Sequence, residues 1–271
     1  MTMHNSWGGG ARENSPLKAK KINLLQKVKD TVIMNNILSK CEVYMKKGFT
    51  LAEVLITLGI IGIVAAMTMP TLIKKYTNHV VETRLKVFYS QVNEAIRLSE
   101  AEYGDKKEWA NGAPDNTSDN IQTAYLSRDE WFQKYVGKHM KIVKKELNIP
   151  AISGWNSGGN LYYLANGSAF GFIQGTIRDW IFFPGNPDKC LKRHPYPLGR
   201  CAFAFNFYPT SNNEGWQFHY NKGVEPWKYQ WDGTLDGLKS ACGQSSGKFC
   251  TALIQYHNWT IPDDYPFQVS Y

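Results

Sequence analysis

The 271 residues contain no H-E-x-x-H and no phosphate-loop pattern, so two common signatures of catalytic sites are missing. No internal repeat is visible and no C-x-x-C pair occurs, which removes the tightest cysteine spacings used for zinc or redox chemistry. His194, His219 and His257 are scattered along the C-terminal half and form no couple at ligand spacing. Charge is nearly absent from one stretch. The twenty-five residues from Phe49 to Ile73 hold a single carboxylate, Glu53, and no other ionisable side chain. An acid in such a run is costly without a partner, so its presence asks for a mechanism.

What is present bounds the class. At 43% hydrophobic and 14% aromatic, the chain has enough apolar material for one large or two small domains, and pervasive disorder is excluded. The formal charge of +8 first suggests a nucleic-acid or membrane-surface binder. Divided along the chain it says something else. Residues 1–48 carry nine Lys/Arg against three Asp/Glu, and residues 49–271 carry twenty-two against twenty. The basicity therefore precedes the apolar run, on the side that the positive-inside rule keeps in the cytoplasm. Whether the chain binds nucleic acid is left open. Cysteine usage divides at the same place: only Cys41 precedes the run, and Cys190, Cys201, Cys242 and Cys250 follow it in two local couples. Two short disulfide loops in an oxidising compartment, Cys190 with Cys201 and Cys242 with Cys250, fit this pattern; four reduced core cysteines or a zinc site with His194 are the alternatives.

Residues 1–16 have a disordered composition, and residues 17–45 could form a weak basic amphipathic helix. Met34 and Met45 are candidate starts that would shorten this leader. Phe49 to Ile73 is long enough, at about 1.5 Å per residue, to cross a hydrocarbon layer of roughly 30 Å as a helix. Gly59, Gly62 and Pro70 within it are tolerated in membranes and close-packed helices. The helix is expected to continue past Pro70. Val81, Leu85, Phe88, Val92 and Ala95 recur at spacings of four, three, four and three, and Gly104 supplies a stop after Tyr103. The result is one helix of about fifty residues, roughly 80 Å long at the standard rise.

After a polar loop, NGAPDNTSDN, Ser127 and Glu130 stand at capping-box spacing and start an expected short helix in SRDEWFQKYVGKHMKIVKK, with Trp131, Tyr135 and Val136 on one side. Two aromatic and branched runs around Asn166-Gly167 predict a hairpin. CAFAFNFYP predicts another strand, and GWQFHYNKGVEPW a shorter strand and turn. The expected fold class is α+β: a long N-terminal helix, apolar then amphipathic, packed on an antiparallel sheet. Asp263 and Asp264 read as a solvated turn before a proline, although a cation site or a carboxylate pair is conceivable there. Trp227 and Trp231 read as core before they read as a stacking platform.

The run from Lys46, KKG followed by FTLAEVLITLGIIGIVAAMTMP, resembles the signature of type IV prepilins and type II secretion pseudopilins. The resemblance covers about thirty residues, and the remainder shares only a general plan of helix stem, antiparallel sheet and cysteine-closed loop. It implies cleavage after Gly48 by a membrane prepilin peptidase, N-methylation of the new amino-terminal Phe49, an assembly role for Glu53, and a helix-breaking Pro70. It also implies partners: identical or related pilin subunits and an inner-membrane assembly platform. The expected division is leader 1–48, transmembrane and assembly helix 49–73, stem 74–104 and extracytoplasmic domain 105–271. The chain would reside in the inner membrane with a cytoplasmic N-terminus, then in a periplasmic or surface filament. No catalytic activity, cofactor or metal is expected. Some pseudopilins hold calcium near the sheet, but NFYPTSNNEGWQF offers only Glu214 as an acid.

Electrostatics explains why the family plan tolerates the acid. Cleavage creates an amine at Phe49, and an amine and a carboxylate attract far more strongly in low dielectric than in water. If Glu53 pairs with the amine of a neighbouring subunit, it gains its partner only on assembly, and a misplaced partner leaves a buried charge. A cleaved secretory signal fits poorly, because the apolar run exceeds twenty residues and carries an acid four positions in. A plain anchor holding an enzyme or binding domain explains the length but needs neither Gly48 nor Glu53.

Overall fold

The computed structural model of the chain describes residues 48–109, 121–149, 159–172, 177–244 and 246–271, with Lys29 and Ile33. The expected disorder of residues 1–16, the amphipathic leader, Cys41, both candidate starts and the polar loop at 111–120 lie outside these stretches. The chain divides into two compact units, one ending at Met67 and one beginning at Thr68. In the first, the described residues are Lys29, Ile33, Gly48 to Thr50 and the opening of helix α1 (Leu51–Tyr103), and every side chain there is exposed but that of Ala65. This stretch is long and apolar enough to cross a membrane and makes a candidate anchor.

In the second unit the predicted stripe becomes the docking face of α1. Val81, Leu85, Phe88, Val92 and Ala95 are buried, joined by Ile96 and Ser99. Gly104 ends the helix in the left-handed region at φ +81°, its N–H bonding to Glu100 O at 3.0 Å. Two further helices join the same layer, α2 (Lys106–Trp109) and α3 (Ile121–Tyr135). The sheet is a six-stranded antiparallel meander in sequence order: β1 (Ile142–Ile149), β2 (Gly159–Leu164), β3 (Ala169–Phe172), β4 (Asp179–Phe183), β5 (Phe203–Phe207) and β6 (Val224–Pro226). Asn166-Gly167 turns β2 into β3: Gly167 takes φ +81°, and the Ser168 N–H bonds to the Asn166 carbonyl oxygen of the side chain at 3.0 Å.

Strand periodicity separates two cores. Tyr162, Phe170, Trp180, Phe182, Phe203, Phe205 and Phe207 face α1 and α3, while Leu161, Ile181, Phe183, Ala202 and Ala204 face the opposite side. Phe88 is the centre of the first core, stacked on Phe182 at 4.5 Å and edge-on to Phe205 at 5.3 Å. The second core is closed by α4 (Pro187–Arg193), whose N-cap Asn186 accepts from the Lys189 N–H at 3.0 Å. A third cluster joins α5 (Leu235–Gly243) and α6 (Cys250–Tyr256).

Two expectations are corrected, and one strand was not anticipated. Ser127 lies inside α3, which begins at Ile121, so it is not that helix's N-cap. The helical reading of residues 141–145 fails, because Gly137 interrupts the pattern and β1 pairs with β2, Lys145 opposite Tyr162 and Glu146 opposite Leu161. Strand β4 was not legible: DWIFF is buried on both faces, as are all five residues of β5, so it shows no alternation.

Candidate functional site

The candidate processing and assembly segment begins at Gly48. A Cβ placed there would meet nothing within 4 Å, so folding does not require glycine at this position. Phe49 is 86% exposed. The next turn closes as a capping box: Glu53 Oε2 accepts from the Thr50 backbone N–H at 2.9 Å and from the Thr50 hydroxyl at 3.0 Å, and the Thr50 Oγ1 accepts from the Glu53 N–H at 3.2 Å. The sequence reading missed Thr50, although T-x-x-E before an apolar run is its signal. Among the described residues Glu53 has no cationic partner. Gly59 and Gly62 likewise have open space around a built Cβ, and α1 continues through Pro70.

The four downstream cysteines are joined as Cys190–Cys201 and Cys242–Cys250. The first ties α4 to the turn before β5, and the second ties α5 to the start of α6. Sulfurs so bonded are not zinc ligands, which removes the reading with His194. Burial, then the charges of Arg193 and Arg200, lowers the His194 pKa. Among the described residues no group of three or more His, Cys, Asp and Glu side chains could hold a metal ion. Glu214 is exposed, and Asp264 pairs with Lys239 at 2.7 Å. Trp227 is buried in the second core, and Trp231 packs against the third cluster.

The buried polar groups were not anticipated from sequence. Glu225 on β6 accepts from the Tyr89 hydroxyl at 2.7 Å, from Lys228 at 3.2 Å and from the Gln255 amide at 3.3 Å, tying α1, β6 and α6 together. Burial raises the Tyr89 pKa, helped by the Glu225 charge, and burial lowers that of Lys228. Asn93 extends the sheet edge. Its amide donates to Val224 O at 2.9 Å and its oxygen accepts from the Val224 N–H at 2.9 Å, covering a β6 edge that would otherwise be unpaired. Asp129 on α3 accepts from the Tyr162 hydroxyl at 3.2 Å and from Lys145 at 2.5 Å. His219 Nε2 lies 3.2 Å from Pro226 O, and burial drives its pKa down to about 4. These clusters satisfy charges across elements; each fixes a packing contact. A cleft of about 620 Å³ lies between Ser90, Gln91 and Glu94 of α1, the Met140 segment and the β2–β3 turn. Glu94 there is engaged by Arg97 at 2.9 Å.

Two family models match the chain. Residues 71–269 match one described as a family of unknown function, DUF6613, and residues 44–69 match the prokaryotic N-terminal methylation motif. The second match is the type IV prepilin and pseudopilin signature and supports a pilin-like substrate of prepilin peptidase. No curated protein and no solved structure matches.

Proposed function

The chain belongs to the DUF6613 family, and on that premise we propose that it is a structural pilin or pseudopilin subunit that prepilin peptidase trims and that assembles through α1. The methylation motif at residues 44–69 carries this reading. Residues 1–48 are the leader, cut after Gly48. Residues 49–73 are the membrane and assembly helix, with N-methylated Phe49 at its head. Residues 74–104 form the stem of an extracytoplasmic domain, 105–271. The role is structural and not catalytic.

The geometry of the first turn supports the assembly step. A carboxylate offers about four acceptor sites, so Glu53 can hold its own Thr50 and still take the Phe49 amine of a neighbouring subunit. The open surfaces at Gly59 and Gly62 permit close approach of another apolar helix. Related subunits and an inner-membrane assembly platform are the partners, and the site of action is the inner membrane followed by a periplasmic or surface filament.

The test is to shear filaments from cells expressing wild type, Glu53→Val and Glu53→Gln. Both variants should insert and be cleaved while their share of the sheared fraction falls sharply. Normal incorporation of Glu53→Val refutes the register role. A wild-type chain that never enters the sheared fraction, with its machinery present, favours an anchored domain that does not polymerise.

A further inference from the structure

The face of α1 that docks on the sheet changes chemistry at its lower end. From Val81 upward it is apolar and buried, whereas Thr71, Lys74, Lys75 and Asn78, at i, i+3, i+4 and i+7, continue the same face as a polar and cationic stripe. This stripe is one wall of a cleft of about 180 Å³. The C-terminal tail supplies the other wall, apolar at Ile261 and Phe267. That wall is fixed, not draped: the Ile261 N–H bonds to Glu82 Oε1 at 2.8 Å, and the Tyr265 hydroxyl bonds to Gly199 O at 2.7 Å. Lys74 and Lys75 have no ion-pair partner among the described residues.

Position adds the second observation. The apolar run ends at Ile73, so the next two residues, both lysine, fall in the headgroup layer of any bilayer that the run crosses. Lysines at the trans end oppose the positive-inside bias, and a fixed anion offsets that cost. We propose that this cleft binds the phosphodiester headgroup of an anionic phospholipid, Lys74 and Lys75 holding the phosphate and Ile261 and Phe267 packing on the glycerol and upper acyl chain. The inference rests on the anchoring part of the reading above. Asp263 at the rim sets the charge of the ligand: two lysines and one carboxylate leave one net positive charge, which matches a phosphodiester monoanion better than a multiply charged phosphate.

The experiment places the full chain in nanodiscs of equal phosphatidylglycerol and phosphatidylcholine and counts the lipids it retains by native mass spectrometry. Wild type should retain phosphatidylglycerol selectively. Removing one cation from an anionic surface costs about fivefold, so Lys74→Gln and Lys75→Gln should each lower the preference by about that factor. Asp263→Asn should raise it, and Lys86→Gln, exposed higher on α1, should leave it unchanged. An unselective wild type, an Asp263→Asn variant with lowered preference, a Lys86→Gln variant as weak as Lys74→Gln, or displacement of the lipid by millimolar inorganic phosphate overturns the headgroup inference alone. A chain that does not enter the disc overturns the anchoring reading and this inference with it.

Discussion

Lowering the pH should loosen the region beneath β6 through a single imidazole. His219 is fully buried; its Nε2 meets the Pro226 carbonyl at 3.2 Å, while its Nδ1 has no hydrogen-bond partner among the described residues. The neutral ring therefore carries its proton on Nε2 and donates it to Pro226 O. A second proton at Nδ1 would bury a charge close to the cation of Lys228; desolvation and that repulsion outweigh the opposing Pro226 carbonyl and Glu225 carboxylate, so the folded-state pKa falls from 6.5 to about 4. Because the folded pKa is depressed, the unfolded chain binds the proton first as pH falls. The contribution is complete above pH 6.5 and declines until about pH 4. At pH 5 one such group costs about 2 kcal/mol, and over the whole window about 3 kcal/mol, at 1.36 kcal/mol per pKa unit. Denaturant unfolding of the detergent-solubilised chain, followed by fluorescence of its nine tryptophans, reads this directly. His219→Gln keeps an amide donor for Pro226 O and cannot titrate, so it should lose the decline between pH 6.5 and 5. An equal decline in His219→Gln, or no decline in wild type, refutes the argument.

Gly48→Ala should fold and insert as wild type does, since the added Cβ meets nothing, yet block cleavage; mass spectrometry should find intact leader in the variant and N-methyl-Phe49 at the head of the wild-type chain. Cys190→Ser/Cys201→Ser and Cys242→Ser/Cys250→Ser should each destabilise by about 2–3 kcal/mol in the loop-entropy model, the bridged residues being 11 and 8 apart. Non-reducing peptide mapping of exported protein should recover those two pairs, and free thiols or bound zinc count against them. Gly223→Ala should cost about 1–3 kcal/mol, because its Cβ would sit 1.9 Å from the Asn93 Oδ1 that is pinned to Val224; a neutral effect in the same unfolding assay shows that Asn93 can leave the sheet edge cheaply.

The elements legible in the sequence are those whose cause is local. The stripe from Val81 to Ala95 records one-sided burial at helical period, and Asn166-Gly167 records a turn that needs a positive φ. The prepilin-type motif was legible because its signature is one contiguous stretch, KKG before FTLAE, within the match at residues 44–69, and the apolar run is measured by its length alone. Even there a local signal was overlooked, the Thr50–Glu53 capping box.

Tertiary structure decided what depends on distant partners. Residues 142–149 became a strand because β2 pairs with them, and DWIFF became the sheet centre because helices cover one face and the second core the other, erasing the alternation that marks a strand. Glu225 meets Tyr89 across 136 positions, and Ile261 meets Glu82 across 179. Lys74 and Lys75 follow the apolar run and drew no reading in sequence, and only the returning tail makes them the wall of a cleft. Periodicity reports how one element divides its faces between oil and water; it carries no record of which remote segment supplies the oil, the counter-charge or the missing hydrogen bond, because those are fixed when the chain closes on itself.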